Sequence, residues 1–251
     1  MQGIHEFIDT DKKVAYINTL LNCGFHTLDC GSFVSPKAIP QMADTSEVLD
    51  RLEEGHPTKL SVIVANKRGA LDAVNHRRVD ILGFPFSVSD EFQKRNTNGS
   101  REEALDRVKE VKELAVKHDK ELLIYLSMAF GNPYGEVWDA DIVAEWTGKL
   151  AALGISLFMP SDTIGSSNAD SIASVYGLLN KEFPKLDIGA HLHTTPDTWR
   201  EKLDAAWDNG CRRFDSALKG LGGCPMAKDD LTGNMPTERV LQFLEERNMA
   251  T

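Results

Sequence analysis

Residues 187–217 read DIGAHLHTTPDTWREKLDAAWDNGCRRFDSA. A short apolar run ends in His191-Leu192-His193, the spacing then predicts a helix over Thr198–Asn209, and a second run follows over Cys211–Ala217. A strand, a crossover helix and a second strand within about thirty residues form a βαβ unit, whose two strands lie parallel. Side chains alternate across a strand, so His191 and His193 share one face.

Working outward, the same alternation recurs. A helix carries Val14, Tyr16, Ile17, Leu20 and Leu21, with Asp9 or Thr10 as its cap, and Thr27–Asp29 is a brief strand. The polar loop Gly31–Asp44 is too long for a plain connector. Further strands are expected over Leu60–Asn66, Val79–Phe86, Glu121–Met128, Ile155–Pro160 and Leu186–His193. Helices are expected over Thr45–Leu52, Arg68–Val74, Arg101–His118, Asp139–Leu153, Asn168–Phe183 and Thr237–Arg247. With the brief strand and Cys211–Ala217 this makes seven strands alternating with helices, hence an α/β fold on a parallel sheet. A (β/α)8 TIM barrel needs eight and starts with a strand, so a first strand is expected before Met1. The rival, an open doubly wound sheet, calls for a glycine-rich phosphate turn after its first strand, and none is present. At 251 residues a single barrel domain, 1–251, is the natural reading.

Composition narrows the function classes. A formal charge of −10, from 28 basic against 38 acidic residues, argues against nucleic acid and anionic membranes as partners. No run approaches the roughly 18 apolar residues of a membrane span, and the N-terminus reads as neither a signal nor an anchor. Four cysteines, Cys23, Cys30, Cys211 and Cys224, form no CxxC pair, which fits a reducing, cytoplasmic setting.

The chemistry gathers near strand ends. His191 and His193 can bind one metal ion together, although two hydrogen-bonded core histidines would give the same pattern. With the carbonyl of Asn234 they make a neutral ligand set, so a hard divalent ion still calls for a carboxylate, for which Asp162 and Asp29 are candidates. Each acid has a plainer reading, Asp162 as a helix cap and Asp29 as a loop brace. Cys224 follows two glycines in GLGGCP and is read as a reactive thiol on a loop that can act as a lid. A nucleophile elbow for hydrolase chemistry is not visible.

Together these residues resemble 3-hydroxy-3-methylglutaryl-CoA lyase, in the TIM-barrel metallolyase superfamily. The resemblance rests on SFVSPKAIPQMAD (32–44), SDTIG (161–165), GAHLHTTPD (189–197) and GLGGCPMAKDDLTGN (220–234). It implies Mg2+ or Mn2+ held by His191, His193 and Asn234, with Cys224 as catalytic thiol and Asp162 and Asp29 serving the site. It also implies an acyl-CoA substrate and a retro-Claisen cleavage to acetyl-CoA and acetoacetate.

Departures qualify the resemblance. The family's N-terminal strand ends in an Arg-Asp pair that falls just before Met1, and Asp29 stands where the family more often has glutamate. The chain as written is therefore expected to show at most trace activity. Its open sheet edges lead to the expectation of association, a homodimer being the simplest case. Two further readings stay open: a non-catalytic relic that binds metal or acyl-CoA, and a sister aldolase or Claisen-type synthase.

Overall fold

The computed structural model describes residues 1, 4, 6–222 and 232–249. Six strands, β1 (Thr27–Ser32), β2 (Lys59–Ile63), β3 (Val79–Ser87), β4 (Glu121–Ser127), β5 (Leu157–Pro160) and β6 (Asp187–Ile188), form one sheet in the order β1-β2-β3-β4-β5-β6. Parallel register is seen between β1 and β2, β2 and β3, and β5 and β6. Each strand lies beside its predecessor, so the chain winds in one direction as a TIM barrel does; a doubly wound sheet would reverse at a switch point. Among the described residues, β1 and β6 are the end strands of this sheet. Among the described residues, no helix is long and apolar enough to cross a membrane.

The chain divides into two compact units. The first comprises residues 1–85 and 102–123. Its helices are α1 (Thr10–Leu21), α2 (Thr45–Asp50) and α3 (Lys67–Val74), and α5 (Arg101–Lys117) belongs to it from its second residue. On α5, Ala104, Val108, Val111 and Ala115 are buried at the four-three-four spacing of one helical stripe. Asp9 occupies the N-cap position of α1 but makes no side-chain cap bond, and Thr10 Oγ1 donates instead to Asp44 Oδ2 at 2.8 Å. Asn66, expected within a strand, lies beyond the end of β2 and caps α3 by accepting from Gly69 N at 2.9 Å. The long polar loop has an anchor of its own. Buried Gln41 donates to the carbonyls of Ile4 and Glu6 at 3.1 and 2.8 Å and accepts from Ile8 N at 2.9 Å.

The second unit comprises residues 86–101 and 124–251. It holds α4 (Asp90–Thr97), α6 (Ala140–Ala151), α7 (Ala169–Glu182), α8 (Trp199–Asp208) and α9 (Thr237–Glu246). Helix α4 was not expected, yet its signal is local: Ser89 accepts from Phe92 N at 3.1 Å, and Asp90 and Glu91 fill the first turn. Helix α7 opens on a capping box between Asn168 and Ser171.

The expected strand Leu186–His193 is broken. After β6 it bridges Ser161 to His191 and then becomes β7 (His193–Thr194), which pairs antiparallel with β8 (Gly233–Asn234). The backbone ladder to β5 nevertheless runs on through this stretch, Gly189 N donating to Phe158 O at 2.9 Å and His191 N to Pro160 O at 3.2 Å. Pro160 has no N–H for the Gly189 carbonyl, which accepts from the Tyr176 hydroxyl of α7 at 2.7 Å, and a Cβ at Gly189 would run into the Met159 sulfur. The expected strand Cys211–Ala217 contributes bridges only, Ala190 to Phe214 and Ala217 to Pro236, with Ala190 N donating to Arg213 O at 2.8 Å and Asp215 N to Ala190 O at 2.9 Å.

Candidate active site

The site is built in the second unit, where β5 ends and the histidine segment passes it. Asp162 N donates to the His191 carbonyl at 2.9 Å, and His191 N donates to Pro160 O at 3.2 Å. The preceding turn is shaped to meet this segment. Met128 has a left-handed backbone (φ 61°), rare for a residue with a side chain, and its N–H donates to Thr163 Oγ1 at 2.8 Å.

His191 is about a third exposed and its Nδ1 faces Asp215 Oδ2 at 3.1 Å. A carboxylate there selects the Nδ1–H tautomer and leaves Nε2 as the electron-pair donor, the arrangement that orients metal-binding imidazoles. The His191 ring also meets Tyr125 edge-on at 5.6 Å and lies 5.4 Å from the His193 ring, centroid to centroid.

His193 is buried, and burial first, then the neighbouring His191, lowers its pKa from 6.5 to about 4. It is therefore a neutral imidazole at ordinary pH, with a lone pair to give. Asn234 is its direct partner across β7 and β8, and its amide nitrogen donates to the Leu221 carbonyl at 3.0 Å, which leaves Oδ1 as the acceptor end. Two glycines let Asn234 sit there. A Cβ at Gly220 would fall 2.8 Å from the Asn234 carbonyl, one at Gly222 2.8 Å from its amide nitrogen, and both residues have positive φ.

The structure thus brings His191, His193 and Asn234 onto neighbouring segments. Two imidazoles and an amide oxygen fit a divalent cation that completes its shell with substrate oxygens. Among the described residues, no group of three or more His, Cys, Asp or Glu side chains could hold a metal. Any anionic ligand would have to join this neutral set.

Asp162 is adjacent through its backbone, but its carboxylate is engaged elsewhere. Oδ2 accepts from Lys202 Nζ at 2.7 Å and Ser167 Oγ at 2.5 Å, and Oδ1 accepts from Ser167 N at 3.0 Å. It braces the loop after β5; the cap of the following helix is Asn168. Asp29 is an exposed residue of β1, in the first unit, paired in register with Ser61. Cys224 lies outside the described residues. Burial raises the thiol pKa of Cys211 to about 12 and that of Cys30 further still, so both are poor nucleophiles.

Sequence reasoning missed Lys202 and Tyr125. Lys202 carried a signal: it stands with Leu203 and Ala206 on the buried face of α8, where a charge implies a buried partner.

The whole chain, residues 1–251, matches the model of the family described as HMGL-like. It is 31% identical over 251 residues to the hydroxymethylglutaryl-CoA lyase of Bacillus subtilis, covering 100% of this chain and 83% of that protein. The HMG-CoA lyase of Brucella melitensis superposes with a TM-score of 0.93 at 31% identity, over 100% of this chain and 88% of that one. An HMG-CoA lyase from Acinetobacter baumannii, solved with coenzyme A and 3-methylmalate, gives 0.92 at 29% identity, over 100% and 81%. On its full-length match and these relatives, the chain belongs to the HMGL-like family of carbon-carbon lyases.

Proposed function

We propose that this protein is a divalent-metal-dependent lyase that cleaves 3-hydroxy-3-methylglutaryl-CoA to acetyl-CoA and acetoacetate. The observation that carries the reading is the pairing of a carboxylate-oriented His191 with a buried, neutral His193 beside Asn234. His191 through Nε2, His193 through a ring nitrogen and Asn234 through Oδ1 would hold Mg2+ or Mn2+, which when bound polarises the hydroxyl and carboxylate oxygens of the substrate.

Retro-Claisen cleavage needs loss of the 3-hydroxyl proton, rupture of the carbon-carbon bond and protonation of the acetyl-CoA enolate. Asp215 keeps the His191 proton on Nδ1, away from the reacting side. Asp162 accepts three hydrogen bonds from Lys202 and Ser167, which brace the loop after β5. For the proton steps we propose Asp29 and Cys224, on the family resemblance. Support for the acyl-CoA class comes from the Acinetobacter relative, whose structure contains coenzyme A.

The test is an acetoacetate-coupled assay with Mg2+ on this chain and on one extended at its N-terminus by a strand ending in Arg-Asp. Acetoacetate release by the extended protein, abolished by a chelator, is expected; no release overturns the reading. For the cation, His191→Ala is expected to weaken Mn2+ binding by at least about tenfold in calorimetry, and unchanged affinity would remove His191 from the ligand set.

A further inference from the structure

Lys202 is the one lysine of α8, and its ammonium is 2% exposed. An ammonium has three N–H donors, and all three are used: Asp162 Oδ2 at 2.7 Å, the His193 carbonyl at 2.8 Å and the Gly165 carbonyl at 3.0 Å. Asp162 is 1% exposed and takes its own three bonds from Lys202 and Ser167. This is a closed network of two buried charges, reaching the histidine segment twice: through Asp162 N to the His191 carbonyl and through Lys202 Nζ to the His193 carbonyl.

The second contact falls where the sheet stops supplying donors. Strand β5 ends at Pro160, and its last backbone donation toward the histidine segment is Asp162 N to the His191 carbonyl. In a parallel ladder the next acceptor along would be the His193 carbonyl, two residues on. The chain after β5 has by then turned away, with Gly165 N donating back to the Asp162 carbonyl at 3.0 Å. Lys202 fills that position from the helix side. The other edge is served separately, by Met235 N on the Leu192 carbonyl at 3.0 Å.

Stability alone does not explain such a pair. Two charges without water are costly, and well-packed apolar replacements of buried pairs are often neutral or stabilising. A role in placing the backbone does explain it, because no apolar side chain can donate to a carbonyl.

We propose that Lys202 is a positioning residue: it supplies the donor that β5 does not give to the His193 carbonyl, and so holds the His193 imidazole in register with His191 and Asn234 for a shared divalent cation. This inference rests on the cation reading above. It assigns to Lys202 an effect on cation affinity separable from its effect on stability.

Three proteins separate the two effects by MnCl2 calorimetry and thermal melting: the parent chain, Lys202→Met, and Asp162→Asn combined with Lys202→Met. The single variant leaves Asp162 buried without its cation, so its melting temperature and its Mn2+ affinity both fall; if it does not fold, the double variant carries the test alone. In the double variant neither charge remains and methionine fills the space of the lysine stem, so melting returns close to the parent. The His193 carbonyl still lacks a donor, and Mn2+ affinity stays about tenfold or more below the parent. A double variant with parental Mn2+ affinity overturns the proposal, since Lys202 would then do no more than neutralise Asp162. A parent chain that takes up no Mn2+ overturns the cation reading and this inference with it, an outcome distinct from the first because there the parent binds.

Discussion

His191 and His193 are two residues apart and chemically identical, yet their surroundings give them different tasks. His191 is partly exposed and has a carboxylate on Nδ1, while His193 is buried between its neighbour and the loop after β5. The pKa of His193, lowered to about 4, has a consequence for stability. The fold holds the ring neutral, whereas the unfolded chain binds a proton once the pH drops below about 6.5. Above that value the group contributes no pH dependence; as the pH falls from 6.5 toward 4 the unfolded state gains protons that the fold refuses, and stability is lost. One such group removes about 2 kcal/mol by pH 5. Denaturant midpoints at pH 7 and pH 5 should therefore differ more for the parent than for His193→Asn, which has no ring to protonate. Equal differences in the two proteins would mean that His193 titrates normally in the fold.

The elements differ in how openly the sequence announced them. Helices were legible because their signals are local: Asp139 accepts from Ile142 N and Asn168 from Ser171 N, each bond spanning three residues. The alternation of strands and helices was legible for the same reason, and it fixes the winding of the sheet. The histidine pair was legible because strand periodicity is two. What the sequence hid depends on residues far apart. The contact between Lys202 and Asp162 spans 40 positions, and the need for a glycine at 189 comes from a Met159 sulfur packed against it from another strand. That last contact yields an element-scale prediction. In Gly189→Ala the new methyl group must displace Met159 or separate β5 from β6, an overpacking that costs about 1–3 kcal/mol. Tyr176, which donates to the Gly189 carbonyl, should lose its register with that carbonyl. Thermal melting is expected to show the loss, and Gly189→Ala should cost less when made in a Met159→Ala background than in the parent, because the obstructing side chain is then gone although its own removal leaves a cavity. An equal cost of Gly189→Ala in the two backgrounds would place it in the backbone and not in the Met159 contact.

At the scale of the molecule the fold alone does not name a reaction, since TIM barrels host many chemistries. Net charge adds a constraint of its own. The protein carries a formal charge of −10, and the proposed substrate is anionic at both its carboxylate and its coenzyme A phosphates. Long-range repulsion then opposes encounter, and the proposed cation would offset it only at short range. The screening length shrinks from about 30 Å at 0.01 M salt to about 8 Å at 0.15 M, so added salt removes the repulsion while leaving contacts within the site largely untouched. With Mg2+ held constant, kcat/KM of the active protein is expected to rise a few-fold over that range while kcat stays level, because salt acts on encounter and not on the bound state. A fall in kcat/KM would instead show that the substrate meets a locally basic surface despite the acidic total. The comparison is best made with KCl, whose monovalent ions would compete poorly for the proposed site of two imidazoles and an amide oxygen.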